Sequence, residues 1–274
     1  MNVNFKSSIG QSKSLYFGKR NDGNKILFRA VNDNDQIIPS STPKYFLIKK
    51  LSENFAGNNF GQKLSVTSSG DILTIGVPND YNEGSVYLYT GLDSWGLSDI
   101  HTDFESFDQF GNEVKLSNNG DVLMVAAYGD NNNAGEVILY TGNQNNITAQ
   151  ENRWVEKQRL TGLTPRSSQI GFPPGELFGI SIDMNYDGST LVVGSIWDEN
   201  YLGTVNIFTG SSGIGWNFSK IFTGDLSDGF GRNVFINKSG NLVGATYNFG
   251  GKMVIYNNIN NNWNLIKTIS PLQN

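Results

Sequence analysis

The chain has no cysteine among its 274 residues, which excludes disulfides, thiol nucleophiles and thiolate metal sites. Its one histidine, His101, leaves a Ser/His/Asp triad a single possible position and a dinuclear metal centre almost none. No window approaches the roughly 18 apolar residues of a membrane-spanning helix. The opening MNVNFKSSIGQSKS lacks the apolar segment of a secretion signal. No basic cluster exceeds Lys49-Lys50, and the formal charge is −5. We therefore expect no nucleic-acid partner and no membrane insertion.

What is present is glycine, 32 residues of it, together with 17 Phe, 11 Tyr and 5 Trp. That composition favours strands and tight turns over helices. Internal repetition organises it. Phe-Gly recurs at Phe60-Gly61, Phe110-Gly111, Phe178-Gly179 and Phe230-Gly231, and nine residues after each glycine stands another: Gly70, Gly120, Gly188 and Gly240. A constant offset means that the segment between the glycines has one length and one register, as a strand requires. Within it apolar residues alternate: Leu64 and Val66, Val114 and Leu116, Ile182 and Met184, Val234 and Ile236. One face is buried and the other is not.

After the turn come the apolar runs ILTIGV, VLMVAA, TLVVGS and LVGAT, which read as strands covered on both faces. A glycine then opens a third, aromatic-rich strand, as in GSVYLYTG and GEVILYTG. Trp95, Trp154, Trp216 and Trp263 open a fourth. The first fifty residues form a degenerate copy, with Gly23 in the turn, Tyr45 in place of Trp and Lys13-Ser14 where the other units have Phe-Gly, as terminal repeats often are. The expected fold is all-β: a β-propeller of four-stranded antiparallel blades, five in number. It forms one domain over residues 1–274, with blades at 12–52, 58–102, 108–161, 176–223 and 228–270. The stretch from Gly162 to Leu177, with three prolines, predicts an ordered surface loop.

These motifs together resemble the FG-GAP repeats of integrin α-subunit propellers, in the subgroup without calcium loops. The turns TSSGD, SNNGD, NYDGS and NKSGN carry too few carboxylates for six to eight oxygen ligands, so no metal is expected. The resemblance implies a noncatalytic module for adhesion or scaffolding, with no cofactor. Its partners would be proteins or a surface glycan, in a virion or on a microbial surface.

Candidate contact residues follow from the repeat. An aspartate recurs ten residues after the turn glycine: Asp33, Asp80, Asp130 and Asp198, with Gly250 in the last unit. It either closes a turn through backbone N–H groups or forms an acidic rim for a cation or basic partner. Trp197, which occurs in one unit only, is the candidate for an exposed contact. The once-per-blade tryptophans either pack between blades or offer stacking platforms to sugars, which is the lectin alternative. His101 stands at an apolar position of its unit and is expected to pack. First-strand polar positions should line the channel: Lys63 and Ser65, Glu113 and Lys115, Ser181 and Asp183, Asn233 and Phe235. Glu113 and Asp183 are the acids among them, and a glycoside hydrolase using this pair is the second alternative.

Overall fold

The computed structural model describes residues 13–20, 26–32, 45–51, 59–91, 95–102, 108–142, 154–162, 175–198, 202–225, 229–248 and 251–271. Four sheets share one plan. The first joins β4 (Lys63–Val66), β5 (Ile72–Val77), β6 (Ser85–Thr90) and β7 (Gly96–Thr102) in that order. β8 (Glu113–Leu116), β9 (Val122–Ala127), β10 (Glu136–Gly142) and β11 (Trp154–Thr161) repeat it. So do β12 (Phe178–Met184), β13 (Thr190–Ser195), β14 (Thr204–Ser211) and β15 (Gly215–Thr223). The last sheet holds β16 (Phe230–Ile236), β17 (Leu242–Tyr247), β18 (Met253–Ile259) and β19 (Asn262–Ile269). Every neighbouring pair is antiparallel. The fold is an all-β propeller, and no described helix is long and apolar enough to cross a membrane.

The amino-terminal unit departs from the expected four-stranded blade. β1 (Lys13–Arg20), β2 (Ile26–Asn32) and β3 (Tyr45–Leu51) form a three-stranded sheet in the order β2-β1-β3. Its first strand is central rather than at one edge. This is the unit that has Lys13-Ser14 at the Phe-Gly position and lacks the glycine of a third strand. Asp33, Gly250 and most of the proline-bearing loop lie outside the described residues.

The Phe-Gly motif has a packing explanation. Phe110, Phe178 and Phe230 are fully buried, and each presses its backbone on the glycine that opens the third strand of the preceding sheet. A Cβ at Gly84 would lie 2.3 Å from the Phe110 carbonyl oxygen, and one at Gly203 would lie 2.2 Å from that of Phe230. Both glycines have positive φ, 98° and 77°, which alanine adopts only with strain. Phenylalanine and glycine therefore form a latch between successive blades, and burying each ring contributes about 1.5–3 kcal/mol.

The first strands β4, β8, β12 and β16 pack in succession around an axis. Their inner edges would expose unpaired amides, and side chains from the neighbouring blade satisfy two of them. The Leu116 N–H donates to Ser65 Oγ at 2.8 Å and the Ile236 N–H to Asp183 Oδ2 at 2.9 Å. At the hairpin turns the backbone continues the pattern. Ser68 N–H donates to Asn118 O, Asn118 N–H to Tyr186 O, and Tyr186 N–H to Lys238 O, at 3.0, 2.9 and 3.2 Å.

Candidate functional site

The hairpin turns between first and second strands close on themselves. Thr67 Oγ1, Ser117 Oγ, Asn185 Oδ1 and Asn237 Oδ1 accept the N–H of Ile72, Val122, Thr190 and Leu242 at 2.9–3.2 Å. These side-chain oxygens serve the turn. Among the described residues no group of three or more His, Asp or Glu side chains is placed to hold a metal ion.

The recurring aspartates face into their own blades. Asp80, Asp130 and Asp198 are buried. The Tyr87 hydroxyl donates to Asp80 Oδ2 at 3.0 Å and the Thr204 hydroxyl to Asp198 Oδ2 at 2.8 Å. Their carbonyls accept the N–H groups of Gly84, Gly135 and Gly203 at 2.9–3.0 Å. The residue matching Thr204 in the β8–β11 sheet is Glu136. Burial raises its carboxyl to about 7, and neighbouring Asp130 adds to the rise while Arg159, at 2.9 Å, opposes it.

Three of the four once-per-blade tryptophans are structural. Trp95, Trp154 and Trp216 are almost completely buried, and the Trp216 indole N–H donates to Gly188 O at 2.8 Å. Rings so enclosed offer no platform to a sugar, which removes the basis of the lectin alternative. His101 lies 4.5 Å from the Tyr140 ring; burial lowers its pKa and Asp99 acts in the opposite direction.

The polar side chains of the first strands gather on the axis as two ion pairs, Lys63 with Glu113 and Lys115 with Asp183. Their surroundings differ. Asp183 is almost fully buried and also accepts the N–H of Met184 at 3.0 Å and of Ile236 at 2.9 Å. It clamps two blades together, so it cannot serve as half of a glycosidase pair without opening that interface. Among the described residues no backbone N–H donates to the Glu113 side chain. Burial raises its pKa, and Lys63 and then Arg232 and Lys115 counteract the rise.

Each end of the axis opens into a cavity. At the end of the loops between second and third strands, about 410 Å³ is lined by residues that include Tyr128, Trp197, Arg232 and Asn248. Burial raises the Tyr128 phenol, and Arg232 lowers it, so one guanidinium acts electrostatically on both Tyr128 and Glu113. Trp197 is half-buried there. At the hairpin end, about 340 Å³ is bounded by all four described four-stranded sheets. The repeat pattern overlooked Arg232, although a signal was present: the corresponding residues are Gln62, Asn112 and Ile180, so Arg232 is the one charge at that position.

No model of a known protein family matches the chain, and no curated protein matches it. Solved structures do. A periplasmic gluconolactonase from Pseudomonas aeruginosa is 12% identical with a TM-score of 0.60, over 96% of this chain and 69% of that one. A Bacteroides fragilis protein provisionally named a 6-phosphogluconolactonase is 10% identical with a TM-score of 0.59, over 98% and 70%. A counterpart from Bacteroides uniformis, named in the same provisional way, is 11% identical with a TM-score of 0.57, over 95% and 68%. Identities this low carry the fold alone.

The expected kinship is corrected by these results. Three of the similar solved structures carry lactonase names, and no family match supports FG-GAP membership. The physical reason is the latch: Phe-Gly and the third-strand glycine are what stacking these blades demands. The noncatalytic adhesion, scaffold or virion role rested on that kinship and falls with it, and so does the glycosidase alternative, which the same comparisons do not support.

Proposed function

We propose that the chain, as a single propeller domain, is a hydrolase that opens a lactone ring in the axial cavity beside Arg232. The observation that carries this reading is Arg232 on the wall of that cavity, with Glu113 on the adjoining axis made more basic by burial and within its electrostatic reach. A general base is most effective when its pKa lies near the working pH. Glu113 takes a proton from water as the water oxygen bonds to the lactone carbonyl carbon. Arg232 stabilises the oxyanion that forms. Collapse breaks the ring C–O bond and the proton passes to the departing alkoxide, giving a hydroxy acid. Trp197 supplies an apolar wall for a sugar-like ring, and Tyr128, kept protonated by burial, supplies an O–H donor. The names of the similar solved structures support the same class of substrate.

The test is acid release from D-glucono-1,5-lactone and from its 6-phosphate, measured above spontaneous hydrolysis. The proposal expects acceleration by the wild type and its loss in Glu113→Gln. No acceleration of either lactone, or a fully active Glu113→Gln, would overturn it.

A further inference from the structure

The loop-end cavity holds a charge that its lining does not cancel. Arg232, exposed on β16, is the one charged residue bordering it, and no Asp or Glu is among its described lining residues. Elsewhere Lys63, Lys115, Arg159 and Lys252 each pair with a carboxylate. Among the described residues no carboxylate lies within ion-pair distance of the Arg232 guanidinium. Glu113 and Arg232 interact through space, and the direct partner of Glu113 is Lys63. Two neutral groups share the cavity, the Tyr128 phenol and the Asn248 amide, on the loops after β9 and β17. Neither side chain has a hydrogen-bond partner among the described residues. A guanidinium without a partner presents a planar fork of N–H donors that fits a carboxylate through two parallel hydrogen bonds. One cation in an otherwise neutral lining calls for one negative charge, not the two of a phosphate monoester.

We propose that the loop-end cavity is a carboxylate site, and that the hydroxy acid formed by ring opening is held there on Arg232 as an inhibitor of its own formation. The substrate lactone is neutral, whereas its product carries a full negative charge. The guanidinium that steadies a passing oxyanion therefore binds the finished carboxylate more strongly than the lactone. Tyr128 and Asn248 donate to hydroxyl groups of the acid, and Trp197 and Ile180 lie along its carbon chain. That the ligand is the product rests on the hydrolase reading; the carboxylate site does not.

D-Gluconate is the probe, with uncharged D-glucitol as its counterpart, and binding to the whole chain is followed by titration calorimetry at constant ionic strength. Gluconate is expected to bind in the millimolar range or tighter, about tenfold more strongly than glucitol. Arg232→Gln should weaken gluconate about tenfold and leave glucitol unchanged, and Arg232→Lys, which keeps the charge but not the fork, should fall between. Lys238→Gln, a change at an exposed cation of the hairpin end, should bind gluconate as wild type does. Gluconate that fails to bind up to about 10 mM, that binds no better than glucitol, or that binds Arg232→Gln as well as wild type overturns the proposal, whether or not the lactone is hydrolysed. Where the lactone is hydrolysed, gluconate should raise the apparent KM and leave kcat unchanged. An inhibition that lowers kcat alone would put gluconate outside this cavity and overturn the product assignment. No hydrolysis of either lactone, with gluconate bound through Arg232, defeats the hydrolase reading and leaves the carboxylate site standing.

Discussion

Two carboxylates stand on adjacent first strands of one axis, one toward each end. Glu113 aligns in the repeat with Ser181, and Asp183 aligns with Lys115. Both are paired with lysine. At the hairpin end Asp183 has two backbone amides besides, one from the next blade. Nearer the loop end Glu113 has its lysine and the field of Arg232, and burial leaves it more basic than an ordinary glutamate. The difference lies in what each acid is tied to: backbone amides from two blades make Asp183 a structural clamp, whereas desolvation raises the Glu113 carboxyl toward accepting a proton.

Breaking this contrast at its reactive side should give the largest effect. Glu113→Gln should lower lactone hydrolysis about 10²–10⁴-fold while shifting the chemical-denaturation midpoint little, because Lys63 keeps access to water. In wild type, activity should fall as pH drops through the raised Glu113 pKa, since the base must be ionised, and a pH–rate profile should place the midpoint above the ordinary glutamate value. Asp183→Ala is the converse. It strands the Ile236 N–H and removes the carboxylate beside Lys115, and should cost about 3–5 kcal/mol of stability in urea unfolding. A variant as stable as wild type would remove the clamp from the account.

Trp197→Ala, at the loop-end cavity, should raise KM about three- to tenfold, the equivalent of about 0.5–1.5 kcal/mol of ring contact, with kcat little changed. The smallest effect sharpens the rule on a third acid. Glu136, like Glu113, is raised by burial, here to about 7. A carboxyl raised in the folded state binds protons more tightly there than in the unfolded chain, so its contribution to stability is greatest below about 4.5 and is lost as pH rises toward 7. Melting temperatures of Glu136→Gln and wild type should therefore diverge in favour of the variant between pH 5 and pH 8. A constant difference would show that Arg159 already compensates the burial.

The blades were legible because their grammar is local. Alternation along Leu64 and Val66, a fixed offset to Gly70 and a double-sided apolar run such as ILTIGV depend on neighbours a few residues away. The amino-terminal unit was misread as a four-stranded blade, because sequence spacing does not reveal that β1 takes the middle of its sheet. The site was only half legible. Trp197 stood out as unique and lines the loop-end cavity. Asp80, Asp130 and Asp198 stood out as repeated, and they bond to the third strands of their own blades. Arg232 passed unnoticed because charge at a repeat position has meaning only once the axis is known.

By itself the sequence determined the repeating unit, its strand register and the glycines that its turns and latches require, since turn φ values and a side-chain period of two are set within a few residues. Tertiary structure alone decided which polar groups meet on the axis, which amides Asp183 satisfies and which acid is left basic. Those outcomes depend on strands some fifty residues apart, Asp183 and Ile236 among them. Their encounter is fixed by how the blades stack.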